Sequence, residues 1–281
     1  METIRIPRII QDTIRGAVLR GRTVGLVPTM GALHDGHMSL IRTSMRENNI
    51  TVASIFVNPT QFAAGEDYEA YPRESDDDAK KLRDIGVDVL FMPELKAMYP
   101  EGFATSVSVK GGLTDRLCGA FRPGHFDGVA TVVAKLLNII GPHRAYFGLK
   151  DYQQYLVIKR MAEDLNMPVE IVGCPTFRES DGLAMSSRNA YLNEQERHSA
   201  PVIYKALAEA SGALSMSLKI EDISAMIERA IKAEPGVTEV QYAGVYDHLT
   251  LEPLAEFKGR ALIAAAVKMG STRLIDNIIV G

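Results

Sequence analysis

Between Ile50 and Val57 the chain reads ITVASIFV, apolar almost without interruption and rich in β-branched residues. A strand with one wet face alternates; a run like this one suits a strand covered on both faces. Thr23 to Val27, Val87 to Phe91, Arg144 to Phe147 and Val169 to Val172 supply further short strands. Helical spacing fills the gaps between them. Met38 to Asn48 carries Leu40, Ile41, Ser44 and Met45; Ser75 to Ile85 opens on Asp76-Asp77-Asp78; Val129 to Ile140 ends at Gly141-Pro142. Tyr155, Leu156, Ile158 and Met161 mark another helix after Asp151, and Ile9, Ile10, Ile14 and Val18 mark a first one over Arg8 to Arg20. Strand, helix and strand at these intervals are βαβ units, so the expectation is an α/β fold on a parallel sheet, with ligands outside the carboxyl ends of its strands. Thr105 to Val109 alternates and predicts one more strand.

The pattern changes after Pro175. A polar loop, Phe177 to Gly182, leads into Leu183 to Asn189, and Asn193 with Glu196 forms a capping-box signature for a helix running to about Ser211. A second helix spans Glu221 to Ala233. Val237 to Tyr246, Arg260 to Lys268 and Arg273 to Val280 then read as strands. Two helices followed by three strands predict a smaller α+β domain at 177–281, after a first domain at 1–176.

Charge and composition narrow the function classes. The 281 residues carry a net charge of −4, which argues against a nucleic-acid backbone as partner. The longest apolar runs, such as Ala261 to Val267, are too short to cross a membrane, and Met1 to Gln11 has no signal-peptide core. Cys118 and Cys174 are far apart and lack metal-like spacing, which fits a reducing cytoplasm.

The chemistry-bearing stretches follow the strands. Pro28-Thr29-Met30-Gly31-Ala32-Leu33-His34-Asp35-Gly36-His37 lies between a strand and a helix. Amides at a helix start attract anions, glycine lets a phosphate come close, and two imidazoles three residues apart can donate to the same oxygens. Lys150 follows a strand beside a helix start, where it is either a surface lysine or a partner for a phosphate. Met185-Ser186-Ser187-Arg188 puts two hydroxyls and a guanidinium into four residues, an anion clamp or an ordinary loop. Asp76 to Asp78 either compensate the helix dipole or help to hold magnesium. Gln61 and Gln154 are neutral groups able to hold a hydroxy acid. No nucleophile–base pair or zinc-like set stands out among the six histidines and two cysteines. Phosphate donors without a nucleophile suit a reaction in which one substrate attacks another.

His34-Asp35-Gly36-His37 together with Met185-Ser186-Ser187-Arg188 resembles the paired signatures of the His-x-Gly-His nucleotidylyltransferase superfamily. Adding Phe56-Val57-Asn58-Pro59-Thr60-Gln61-Phe62, Lys150-Asp151-Tyr152-Gln153-Gln154 and Asp181 to Asn189, the chain resembles the pantothenate synthetase (pantoate–β-alanine ligase) family. That resemblance implies ATP-dependent condensation of pantoate with β-alanine through a pantoyl adenylate, releasing AMP and pyrophosphate. It also implies a homodimer with a Rossmann-like N-terminal domain and a C-terminal lid. By position, Met30, Gly31, Ala32, Leu33, His34, Asp35, Gly36, His37, Gly148, Leu149, Lys150, Asp151, Phe177, Met185, Ser186, Ser187 and Arg188 would hold ATP. His34, His37, Lys150 and Arg188 would carry the catalytic charge stabilisation, with His37 as a proton donor. Gln61 would hold pantoate and β-alanine and Gln154 pantoate, Asn58, Tyr71, Arg122 and His125 would line the substrate pocket, and Asp77 would reach Mg2+. Leu149 and Phe177 depart from the family pattern, which usually has Glu and Val or Ile there.

Overall fold

A computed structural model describes every residue except Ala64 and Ser217. Two compact units emerge. The first comprises Met1–Val109, Arg122–Leu149 and Gln154–Pro175; the second comprises Lys110–Phe121, Lys150–Gln153 and Thr176–Gly281.

In chain order the elements begin with β1 (Glu2–Ile4), α1 (Pro7–Val18), β2 (Val24–Thr29), α2 (Asp35–Glu47), β3 (Ile50–Ile55), α3 (Ser75–Ile85) and β4 (Val89–Phe91). Three single-turn helices follow, α4 (Leu95–Met98), α5 (Gly112–Asp115) and α6 (Cys118–Phe121), then α7 (His125–Ile140), β5 (Arg144–Gly148), α8 (Tyr152–Asp164) and β6 (Glu170–Cys174). The six strands form one sheet in the order β1-β4-β3-β2-β5-β6, every pair parallel. Strand order runs outward from β2 through β3 in one direction and through β5 in the other, so the switch point lies between β2 and β5. The stretch after Thr29 and the stretch after Gly148 both leave the sheet there, where α/β sheets bind ligands.

β2 and β3 are buried along nearly their whole length, as a doubly covered sheet requires. Val27, Ile41, Ala53, Leu82 and Leu90 form a core that joins α2 and α3 to the strands. α1 starts on Pro7 and buries Ile10, Ile14 and Ala17, one stripe at helical spacing.

The second unit contains α9 (Glu194–Ser199), α10 (Val202–Ser215), α11 (Ile220–Lys232), β7 (Val237–Tyr246), β8 (Ala261–Met269) and β9 (Thr272–Val280). Its strands form an antiparallel sheet in chain order. Ile223, Ile227 and Ile231 of α11 pack with Leu207 and Ala210 of α10 onto Ile263, Ala265 and Val267 of β8.

Two local expectations are corrected. Thr105 to Val109 forms no strand: the Val107 amide donates to Thr131 Oγ1 at 2.9 Å, and most of the segment is exposed. Alternation without a strand edge to join leaves the backbone to side-chain partners. The helix after Asn193 stops at Ser199 and resumes at Val202, because Pro201 lacks the amide a continuous helix needs. The capping box itself forms, with Glu196 N donating to Asn193 Oδ1 at 2.9 Å and Asn193 N to Glu196 Oε2 at 3.0 Å. β1, too short to show a period, is fixed by pairing of Glu2 to Ile4 with Val89 to Phe91.

Candidate active site

The turn from β2 to α2 is held from three sides. Thr29 Oγ1 donates to Ser54 O at 2.7 Å and accepts from Gly31 N at 3.2 Å. Gly31 (φ +85°) and Ala32 (φ +50°) are both left-handed, a conformation that glycine adopts freely and alanine does not. Ala32 N and Leu33 N then donate to the two oxygens of Asp78, at 2.7 and 2.8 Å. His34 caps α2: its Nδ1 accepts from Gly36 N at 3.2 Å, while His37 Nδ1 accepts from His34 N at 3.3 Å. The rings lie 4.1 Å apart, centre to centre.

These bonds occupy several amides of the turn. Amides at Ala32, Leu33, His34 and Gly36 already have internal acceptors, so what the turn offers a phosphate is mainly side-chain chemistry. An Nδ1 that accepts from an amide carries no proton, which places the proton of each neutral imidazole on Nε2. Both histidines are therefore built as Nε2–H donors.

The substrate candidates Asn58, Gln61, Arg122 and His125 form one hydrogen-bonded group within the first unit. Gln61, 9% exposed, donates from Nε2 to Met30 Sδ at 2.9 Å and accepts at Oε1 from Asn58 Nδ2 at 3.1 Å. Asn58 caps the 3-10 turn Pro59–Gln61, also donates to Gly128 O at 3.1 Å, and accepts from the Tyr99 hydroxyl at 2.8 Å. His125 Nδ1 lies 2.7 Å from Gln61 O, and its Nε2 lies 2.9 Å from Arg122 Nη1. A carbonyl only accepts and a guanidinium only donates, so His125 carries its proton on Nδ1. Arg122 in turn grips Glu66 through Nε and Nη2 at 2.6 and 2.7 Å. Burial alone would raise the Glu66 carboxyl, but the Arg122 hydrogen bonds and charge outweigh it and hold the group below its ordinary 4.5. Tyr71, 6% exposed, packs edge-on against Phe62, next to Gln61 in the chain.

Gly148 closes β5. Leu149 leans over β6, since a Cβ on Gly173 would lie 2.7 Å from Leu149 Cδ2; the side chain points away from β2. Gln154 is half-buried in the first turn of α8. Asp77 is exposed in the first turn of α3.

In the second unit, Lys150 Nζ lies 3.9 Å from Asp151 Oδ2, and its carbonyl accepts from Asn277 Nδ2 at 2.8 Å. The segment from Phe177 to Asn189 folds back on itself. Met185 N donates to Phe177 O at 3.0 Å, Glu179 N to Leu183 O at 2.8 Å, and Arg188 N to the Ser186 hydroxyl at 3.3 Å. Arg178 fixes it to β9 through a two-point pair with Asp276, at 2.6 and 2.9 Å, while its guanidinium lies over the Tyr204 ring. Burial pushes the Asp276 carboxyl up, against the opposing pull of Arg178. Arg197 bridges Glu179 and Asp181, each at 2.6 Å. Phe177 is 41% exposed. Met185 to Arg188 are thus presented from a braced hairpin.

A family model for pantoate–β-alanine ligase matches residues 2–279. The chain belongs to the pantoate–β-alanine ligase family. Pantothenate synthetase of Thermodesulfovibrio yellowstonii is 58% identical over the whole of both chains, and that of Acetivibrio thermocellus is 54% identical over 100% of this chain and 99% of its own. The crystal structure of the Thermus thermophilus pantothenate synthetase superposes with a TM-score of 0.94 at 47% identity, covering 99% of each chain. A Francisella tularensis pantoate–β-alanine ligase, described as complexed with β-γ ATP and β-alanine, superposes with a TM-score of 0.82 at 36% identity, over 99% of this chain and 97% of its own. Members of the family are ATP-dependent ligases that form pantothenate from pantoate and β-alanine.

For this family member, sequence reasoning passed over three groups. Asp78 lies in a run of three acids expected to compensate the helix dipole or to help hold magnesium, yet it is 1% exposed and serves the β2–α2 turn. Its register was the available signal: it lies on the same face of α3 as Leu82, four residues on. Glu66 comes from a polar loop with no periodicity at all. Gln153 is saturated by Cys118 N, Leu113 O and Arg116 O, a structural role distinct from that expected of Gln154.

Proposed function

We propose that pantothenate is formed on this chain in two half-reactions that share one intermediate. The pantoate carboxylate, ionised at neutral pH, attacks the α-phosphorus of ATP. A P–O bond forms to the acyl oxygen, the bond to the β-phosphate bridging oxygen breaks, and pyrophosphate leaves. The β-alanine amine then attacks the acyl carbon of pantoyl adenylate, the C–N bond forms with loss of the amine proton, and AMP leaves.

The link from Met30 to Gln61 carries this reading. A thioether is a weak acceptor, so Gln61 Nε2 gains by exchanging Met30 Sδ for a carboxylate oxygen, while Asn58 keeps the other end of the amide oriented. A carboxylate substrate on Gln61 is thereby held beside the stretch that binds nucleotide. Gln154 binds pantoate as well, and Asn58, Tyr71, Arg122 and His125 shape the pocket around it. Of these, His125 and Arg122 work partly through the Gln61 carbonyl.

Charge grows on pyrophosphate as it leaves. His34 and His37 meet it with Nε2–H, Lys150 and Arg188 with full charges, and Ser186 and Ser187 with hydroxyls. Met30 to His37, Gly148 to Asp151, Phe177 and Met185 to Arg188 form the ATP site, with His37 the proton donor. The exposed Asp77 carboxylate fits Mg2+, which keeps most of its waters and takes one or two carboxylates beside phosphates; when bound it neutralises phosphate charge. The enzyme acts as a homodimer in the cytoplasm, without nucleic acid or membrane partners; no helix among the described residues is long and apolar enough to span a membrane.

The test is isotope exchange between labelled pyrophosphate and ATP in the absence of β-alanine. Exchange that requires pantoate is expected. Exchange supported equally by unrelated acids, or none with pantoate, would refute the adenylate route.

A further inference from the structure

We infer that Asp78 is a positioning residue for the nucleotide, acting through the turn that carries His34 and His37; the inference rests on the ATP-site reading above. Asp78 is 1% exposed, and both its oxygens are committed to consecutive amides of the turn, Ala32 N at 2.7 Å and Leu33 N at 2.8 Å. Asp76 and Asp77, its neighbours in the same helical turn, are exposed. Dipole compensation accounts for those two and leaves the third unexplained, because a carboxylate buried to this degree needs charge or hydrogen-bond partners. Its partners are the two amides and Lys81, whose Nζ lies 3.9 Å from Asp78 Oδ1 and donates to Leu33 O at 2.9 Å.

Asp78 and Lys81 together hold three backbone groups of the turn, the amides of Ala32 and Leu33 and the carbonyl of Leu33. What they hold is a conformation the chain resists. Ala32 sits at φ +50°, where a Cβ meets the neighbouring carbonyl, and it follows Gly31 at φ +85°. After Leu33 comes His34, the cap of α2, whose ring in turn fixes the first amides of that helix. Orientation therefore passes from α3 through Asp78 to the turn and on to the two imidazoles. Asp78 touches no reacting atom. It sets where Nε2 of His34 and His37 stand, and it lies one residue from Asp77, so a single turn of α3 supports both the donors and the carboxylate suited to magnesium.

Asp78→Asn keeps the size of the side chain but sets an NH2 against one of the two amides. The expected result is a rise of about tenfold or more in the KM for ATP, the loss of one charge-assisted bond. The KM values for pantoate and β-alanine are expected to stay within about twofold, since Gln61 is held by other residues. Adding Ala32→Gly to Asp78→Asn is expected to recover about threefold of the ATP KM, because glycine occupies the left-handed region unaided. An unchanged ATP KM, a parallel rise in all three constants, or no recovery from Ala32→Gly overturns the inference. If Asp78→Asn lacks the circular dichroism of the wild type, Lys81→Met replaces it: Lys81 is 45% exposed, so its loss spares the fold, and a rise of about threefold in ATP KM is expected, with no change overturning the inference. Absence of pantoate-dependent exchange in the wild type would strike the adenylate reading instead, and is read separately from the variants.

Discussion

Gly128 offers a test of how tightly the Gln61 amide, the proposed substrate contact, is held. It lies in the first turn of α7, where Thr60 and Gln61 cross it backbone to backbone. A Cβ at Gly128 would overlap Thr60 O and lie 2.6 Å from Gln61 N. Neither neighbour is the end of a flexible side chain, so the 3-10 turn itself must retreat. Restoring a normal contact from 2.6 Å moves Gln61 by about 0.5–1 Å and stretches the Asn58 Nδ2 bond to Gly128 O, now 3.1 Å. Overpacking of this kind costs about 1–3 kcal/mol, and a weakened hydrogen bond about 1 kcal/mol. Alanine returns about 1 kcal/mol through its better helix propensity. Gly128→Ala should therefore fold, with a loss of stability of about 1–3 kcal/mol. Its activity should suffer more, because a displacement near 1 Å in a positioned group is enough to cost about 100-fold. Steady-state kinetics with each substrate varied, alongside thermal melting, separates the two effects: kcat/KM for pantoate should fall by about 10- to 100-fold while the KM for ATP changes little. Wild-type kinetics with pantoate in a folded variant would show that the position of Gln61 is not critical.

Two further outcomes follow from the same geometry. On the proposed mechanism His37→Ala removes an Nε2–H donor to the leaving pyrophosphate, so kcat should drop by about 100-fold or more while the KM for pantoate shifts by only a few-fold; near wild-type turnover would remove His37 from the chemistry. Glu66 titrates below its ordinary 4.5 in the folded chain, so as pH falls the unfolded chain takes the proton first, and the stability from the Arg122 pair, complete above about pH 4.5, drains away through the folded value. Melting temperatures of wild type and Glu66→Gln should therefore converge as pH falls below about 4.5, and a gap that stays constant on acidification below that point would refute the assignment.

The fold was legible to the extent that periodicity encodes burial. Ile50–Ile55 is a central strand buried on both faces, and its uninterrupted apolar run says so; Ile220, Ile223, Ile227 and Ile231 mark the buried stripe of α11 as plainly. Where a segment's partner is neither a strand nor a core, the signal fails. Thr105 to Val109 alternates yet bonds to Thr131, and Pro201 divides a helix whose apolar pattern continues across the break.

At the site, the order of motifs identified the family and the candidate residues, because the chemistry of phosphate and carboxylate recognition demands particular side chains at short range. His34, His37 and the Met185–Arg188 stretch are of that kind. Their state was decided elsewhere. The protons on Nε2 of His34 and His37 follow from backbone amides that occupy Nδ1, and that on Nδ1 of His125 follows from Arg122 and the Gln61 carbonyl. Asp78 reaches the turn from 45 residues away, and Glu66 reaches Arg122 from 56. Sequence spacing records only local geometry, about 3.6 residues to a helical turn and two to a strand repeat. Which distant carboxylate fills which pair of donors depends on how helices pack against the sheet, and that packing exists only in the folded chain.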